Sequence, residues 1–103
     1  MRVLFATAEL APLATVGGLA AAAAGFVAEL RRQGVHVDVV MPDYGTVALT
    51  GQRSIELDVA EWAGPATART GIAAGVGEVT LIDVPGMART HPYLQPDGIG
   101  WPD

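Results

Sequence analysis

The apolar positions change their spacing twice along this chain, and each change marks an element. Val3, Leu4 and Phe5 form a short continuous apolar run, the pattern of a strand covered on both faces. Arg2 to Ala8 are read as that strand. Further on, Leu19, Ala22, Ala23, Phe26, Val27 and Leu30 recur at helical intervals and predict one apolar stripe turned to a core. Glu29, Arg31, Arg32 and Gln33 make the last turn polar, with the two arginines suited to the negative end of the helix dipole. Gly34 is placed to end the helix as its C′ residue. Gly25, inside it, should cost about 1 kcal/mol relative to alanine, so it is expected to permit close packing on a sheet. Val35 to Pro42 reads as a second strand, stopped by proline.

Strand, helix and strand with short connections make a βαβ unit, parallel and right-handed almost without exception. The period then shortens: Ile55, Leu57 and Val59 alternate with Ser54, Glu56 and Asp58, as in a half-exposed strand. Thr67 to Ala74 is a weaker strand segment, leading through Gly75 and Gly77 into Glu78 to Pro85. These three segments are expected to form a hairpin plus a returning central strand, in an order the pattern leaves open. From Gly86 onward, prolines, glycines and isolated aromatics predict a loop anchored by Tyr93 and Trp101. The fold class is therefore α/β, a partial Rossmann-like domain with a parallel βαβ start and a hairpin-like insertion. Doubly wound sheets normally continue after such a last strand, so residues 1–103 are expected to be the opening portion of something longer.

Half of the 103 residues are hydrophobic and 17% are charged, which allows a real core and argues against disorder. The net charge is −5, and Arg31–Arg32 is the only adjacent pair of basic residues. Nucleic-acid binding is excluded on that ground, because phosphate contacts need clustered Lys and Arg. No cysteine is present, which removes disulfides, thiolate chemistry and Cys-based zinc sites and fits a cytoplasmic location. The apolar start is too short for a signal peptide and is interrupted by Glu9 and Pro12. No run approaches the roughly 18 apolar residues of a membrane span.

The candidate chemistry lies where the first strand gives way to the helix, at Val16, Gly17, Gly18 and Leu19. The first N–H groups of a helix lack intrahelical partners and sit at the positive end of its dipole, which suits a phosphate. Glycine lets an anion approach the main chain; its other possible role there is tight helix–sheet packing. Thr15 is placed to cap the helix or to contact the anion. The spacing is not G-x-G-x-x-G, so NAD is not indicated. Ligands of open parallel sheets sit beyond the carboxyl ends of the strands, where Ala8, Glu9, Thr15, Gly17, Gly18, Asp43 and Tyr44 are expected to gather. Glu9 is either a cleft residue or an exposed turn carboxylate. His36 reads as a partly buried structural histidine. His91 has no second histidine or acidic partner at ligand spacing, so no metal site is predicted. Glu56, Asp58 and Glu61 read as a solvated strand face, and no Ser–His–Asp set stands at a usable spacing.

Three stretches, ATAELAPLATVGGLA, LRRQGVHVDVVMPDYG and LIDVPGMARTHPYLQPDGIGWPD, resemble the amino-terminal part of bacterial glycogen synthases and plant starch synthases (glycosyltransferase family 5). They occur in the family's order. The series Pro92, Tyr93, Pro96, Asp97, Gly98, Trp101, Pro102, Asp103 is the most specific of them, whereas Thr46 to Glu78 lies outside the resemblance. The resemblance implies a GT-B fold, two Rossmann-like domains with the active site between them. It further implies a metal-independent, retaining glucosyltransferase that extends α-1,4-glucan from a sugar nucleotide, usually ADP-glucose. Gly17 and Gly18 would face the donor diphosphate, with Thr15 beside them; Glu9, Tyr93 and Asp97 would lie on the cleft or acceptor side. The carboxyl-terminal domain that holds most of the nucleotide is absent from these residues, and no catalytic residue, cofactor or metal is assigned. Thr15 stands where the family has lysine, Val16 where it has threonine, Ala21 where it has aspartate, and Asp43 where it has arginine. A lysine beside a diphosphate contributes a charge-assisted contact that threonine does not.

Taken alone, the segment is expected to be an inactive part of such a transferase, whose partners would be a sugar nucleotide, an α-glucan and the missing domain. The competing expectation is a stand-alone, non-catalytic carbohydrate- or protein-binding module derived from that fold, with exposed sheet or helix surface open to self-association. A third reading is a small nucleotide-binding fold unrelated to sugar transfer.

Overall fold

The computed structural model describes residues 1–89 and 91–100; Trp101, expected above as a loop anchor, lies outside them. The elements are β1 (Arg2–Ala6), α1 (Gly18–Arg32), β2 (His36–Pro42), β3 (Thr50–Leu57), a short 3-10 turn (Glu61–Ala63), β4 (Ala66–Ala73) and β5 (Gly77–Asp83). The strands form one sheet in the order β1-β2-β5-β4-β3. β1, β2 and β5 run parallel, whereas β4 is antiparallel to both β5 and β3. The order left open by the pattern is thus settled. β5 returns to the centre beside β2, and β3 and β4 are an antiparallel extension fed through the Gly75–Gly77 turn.

One face of the sheet carries the core. Val37, Val39 and Met41 of β2 and Val79 and Leu81 of β5 are buried there beneath Ala23 and Val27 of α1, with Leu10 and Tyr44 closing the carboxyl end. The helix is rotated from the predicted stripe: it buries Ala20, Ala23 and Val27, while Leu19 and Phe26 remain half exposed. Alanines on the contact line let the helix axis come close to the sheet, and Phe26 leans outward onto Phe5 at the sheet margin, ring centroids 5.5 Å apart. Gly25 does not serve the packing expected of it, since it is exposed and an added Cβ would meet nothing within 4 Å. The residue that close approach does require is Gly71, whose Cβ would lie 2.9 Å from the Thr50 carbonyl oxygen.

β1 also departs from expectation. It ends at Ala6 and is an edge strand, so Leu4 is 70% exposed rather than covered on both sides. His36 is exposed too, its Nε2 lying 3.0 Å from Asp38. The helix terminates as read: Gln33 is the C-cap, and Gly34 follows with φ +84°. Arg31 does more than complement the dipole. Its guanidinium donates to the carbonyls of Val76, Val37 and Glu78 at 2.8–3.0 Å, fastening the helix end to the amino ends of β2 and β5.

Candidate functional site

β1 delivers the chain to the carboxyl edge of the sheet, where the Thr7 hydroxyl donates to the Glu9 carbonyl at 2.7 Å and closes the turn. That turn points Glu9 inward. Its side chain is 4% exposed and is no solvated turn carboxylate. One carboxylate oxygen accepts the N–H groups of Val16 (2.8 Å) and Gly17 (3.0 Å). The other accepts the Tyr93 hydroxyl at 2.5 Å, a contact that spans 84 positions of sequence. The His91 imidazole Nδ1 accepts the amides of Tyr93 and Leu94 at 3.1 and 3.0 Å, which fixes the loop that aims Tyr93. Tyr93 is therefore an anchor, as read, and its partner is Glu9.

These contacts set the local electrostatics. The Tyr93 hydroxyl, and then the Gly17 and Val16 amides, stabilise the Glu9 carboxylate and hold its carboxyl below the usual 4.5 despite burial. The hydrogen bond to Glu9 is the main cause that pushes the Tyr93 phenol up to about 12. Glu9 is an internal anion occupying amides that the sequence offered to a ligand.

Not all are occupied. Gly17 is the N-cap, and no side chain caps α1, so Thr15 does not play the capping role. As the first residues of the helix, Gly18 and Leu19 have no intrahelical acceptor for their N–H groups. Val16, Gly17 and Gly18 are all exposed. The packing alternative for the glycines also fails, because a Cβ at either position would meet nothing within 4 Å. Gly17 has φ −145° and ψ −158°, extended backbone open to any residue. Neither space nor conformation requires glycine here.

Thr15 lines a cavity of about 260 Å³ together with Tyr44, Thr46, Arg89 and His91. Tyr44 donates to the Ala8 carbonyl at 2.9 Å, tying the ends of β1 and β2. Asp43 is buried and is not a bare charge at the mouth. Its Oδ2 receives both Nε and Nη2 of Arg69 at 2.9 Å, and its Oδ1 accepts the Gly45 amide at 3.0 Å. The structure thus brings Glu9, Thr15, Gly17, Gly18 and Tyr93 to one edge. Asp97 is not drawn in: it is exposed, and it accepts the Ile99 amide within its own turn. Arg69 and Arg89 escaped the sequence reading. A lone arginine in an otherwise uncharged strand segment was the available sign of a buried partner for Asp43; nothing in the pattern marked Arg89. Among the described residues no group of three His, Asp or Glu side chains converges as metal ligands would, and no helix is long and apolar enough to cross a membrane.

Known proteins are similar to this chain in sequence and in fold. Residues 2–103 match the family described as starch synthase catalytic domain. The chain is 43% identical over its full length to glycogen synthase of Halorhodospira halophila and 33% identical to that of Dechloromonas aromatica, covering 22% of each. A 48-residue stretch is 50% identical to glycogen synthase of Geobacillus stearothermophilus. Among solved structures, the catalytic domain of Starch Synthase IV from Arabidopsis thaliana bound to ADP and acarbose superposes with a TM-score of 0.70 at 26% identity, over 93% of this chain and 21% of that one. The chain spans about a fifth of the length of the curated relatives it matches along its whole length. Matched from residue 2 to residue 103, the chain belongs to the starch synthase catalytic domain family.

Proposed function

We propose that these residues form one wall of the donor site of a retaining glucosyltransferase that extends α-1,4-glucan from ADP-glucose or a similar sugar nucleotide. The observation that carries this reading is the pair Gly17–Gly18, glycines that neither packing nor backbone conformation demands, at the open start of α1. When the sugar–phosphate bond breaks, negative charge gathers on the departing diphosphate. The amides of Gly18 and Leu19 and the positive dipole end of α1 are aimed where that charge develops. Gly17 contributes by lacking a side chain, since its own N–H is spent on Glu9. Glu9 and Tyr93 hold the loop in shape, and the Thr15 hydroxyl offers a neutral contact. The ADP bound by the Arabidopsis relative supports a nucleoside diphosphate as the ligand class. The segment by itself lacks the opposite wall and is catalytically silent.

Amide-resolved NMR titration with ADP, ADP-glucose, UDP-glucose and NAD tests this. Shifts centred on Gly18 and Leu19 with the diphosphate sugars, and not with NAD, are expected; a silent loop would overturn the reading. Transfer of labelled glucose from ADP-glucose by this chain alone would contradict the inactive-segment part. The second reading, a non-catalytic binding module, is favoured by Thr15 at the family's lysine position. It predicts binding to α-glucan with no response at Gly18 to any nucleotide.

A further inference from the structure

The loop that carries Tyr93 takes its shape from one ring nitrogen. Nδ1 of His91 accepts the amides of Tyr93 and Leu94, two and three positions further on, the place an asparagine or aspartate oxygen takes in an Asx turn. Pro92, between them, has no N–H to offer and a preset φ. Beyond the turn the chain is held to itself, the Gln95 amide on the Ile99 carbonyl at 2.7 Å and the Gly98 amide on the Gln95 carbonyl at 2.9 Å. The Tyr93 hydroxyl links this unit to the sheet edge, because it donates to the Glu9 oxygen that the Val16 and Gly17 amides leave over. Imidazole, tyrosine and buried carboxylate thus stand in series.

We infer that His91 is a positioning residue that holds Tyr93 on Glu9 only while its imidazole is neutral, so that this loop is fastened to the sheet edge at neutral pH and released in acid. Nδ1 accepts the two amides through its lone pair. A protonated ring donates from both nitrogens, so an Nδ1 proton would point at the two N–H groups and both bonds are lost together. Histidine ordinarily changes charge near pH ~6.5. The groups that face the ring do not replace what is lost. Glu9, from the turn after β1, would be drawn to the new charge. Its carboxyl is held below the usual 4.5 first by the Tyr93 hydroxyl and then by the Gly17 and Val16 amides, however, and the His91 charge is the smallest of the causes. Tyr44, after β2, lines the same cavity and has its hydroxyl on the Ala8 carbonyl. Arg89 lines that cavity too. It is a fixed cation, so a second positive charge beside it is opposed. The Tyr93 ring stands edge-on to the imidazole, centroids 6.2 Å apart, and its phenol, pushed up to about 12 chiefly by the bond to Glu9, keeps its proton throughout. None of this depends on which ligand the helix start receives.

Backbone nitrogen relaxation, measured by NMR on the 103-residue chain at about pH 8 and about pH 5.5, tests this on either side of the ordinary histidine value. The chain has two histidines, and the other, His36, lies with the amino terminus at the opposite end of the sheet. Order parameters of Tyr93 and Leu94 should stand near ~0.85 at the higher pH and fall below about 0.6 at the lower, with those of β2 unchanged. A nearby charge alone moves resonances and leaves order as it was. His91→Asn, whose side-chain oxygen accepts the same amides without titrating, should stay ordered at both pH values, and His91→Ala should be loose at both. Equal order at the two pH values in the parent chain, a pH response retained by His91→Asn, or an ordered loop in His91→Ala would overturn the inference.

Discussion

Gly18→Ala separates the needs of the fold from those of the ligand. In a helix the Cα–Cβ bond tilts toward the amino terminus, so a methyl group on residue 18 projects into the space an anion would occupy. The fold has no objection to it: the position is exposed, and the new Cβ meets nothing within 4 Å. Alanine in place of glycine limits the unfolded chain and suits a helix, a gain of about 0.5 kcal/mol so near the terminus. That raises the melting temperature by roughly 2–4 °C for a domain of this size. The ligand loses instead. An amide held off a phosphate oxygen forfeits a charge-assisted hydrogen bond of about 1.5–3 kcal/mol, which weakens binding by roughly ten- to a hundredfold. Thermal unfolding and an NMR titration with ADP-glucose measure the two effects on the same sample. A variant that melts lower than the parent, or that binds the sugar nucleotide equally well, refutes the reasoning.

Other substitutions probe the remaining supports. Gly25→Ala should raise stability by about 1 kcal/mol, whereas Gly71→Ala, whose Cβ would stand 2.9 Å from the Thr50 oxygen, should lower it by about 1–3 kcal/mol; urea unfolding of both checks the opposite signs. Replacing Arg69 by Met strands the buried Asp43 carboxylate. The loss should be about 2 kcal/mol, less than for a fully buried pair because Arg69 is partly exposed, and an effect near zero in the same assay would deny the pair any structural role. The Glu9–Tyr93 contact makes stability depend on pH at both ends. With its folded pKa depressed, Glu9 stabilises the fold above 4.5, a contribution lost as pH falls through the lowered folded value. With its pKa raised, Tyr93 stabilises below 10, a contribution lost as pH rises through about 12. The tyrosinate absorbance step missing from Tyr93→Phe should therefore sit near 12; a step near the ordinary 10 would mean that the hydrogen bond does not form.

Much of the architecture was legible because period and punctuation carry it. The βαβ start follows from the apolar run, the helical spacing and Gly34, and a returning central strand was expected among the last three segments, though only the structure assigns that place to β5. What escaped was rotation and partnership. The helix face was misjudged at Leu19 and Phe26 because a stripe of alanines is a weak signal beside leucine and phenylalanine, though small residues win where helix and sheet approach closely. Covering β1 on both faces assumed an interior strand, and strand order is not encoded in a local pattern. Glycines that accept an anion and glycines that pack look alike in a sequence; the open space around residues 17 and 18 speaks only against the packing role. Glu9 was placed at the right edge, but its pairing with Tyr93 spans most of the chain, and no spacing rule reaches that far.

The central seat of β5 has a consequence during synthesis. β2 gains its second neighbour only from a strand that ends at Asp83, so the nascent chain carries an unsatisfied seam along β2 after Pro42 has emerged. At the usual ~5–20 residues per second, the wait is about 2–8 s. During that interval the ribosome-bound intermediate presents hydrogen-bonding groups to any extended peptide nearby, and a chaperone that shields β2 until β5 arrives would raise the yield of correctly threaded molecules.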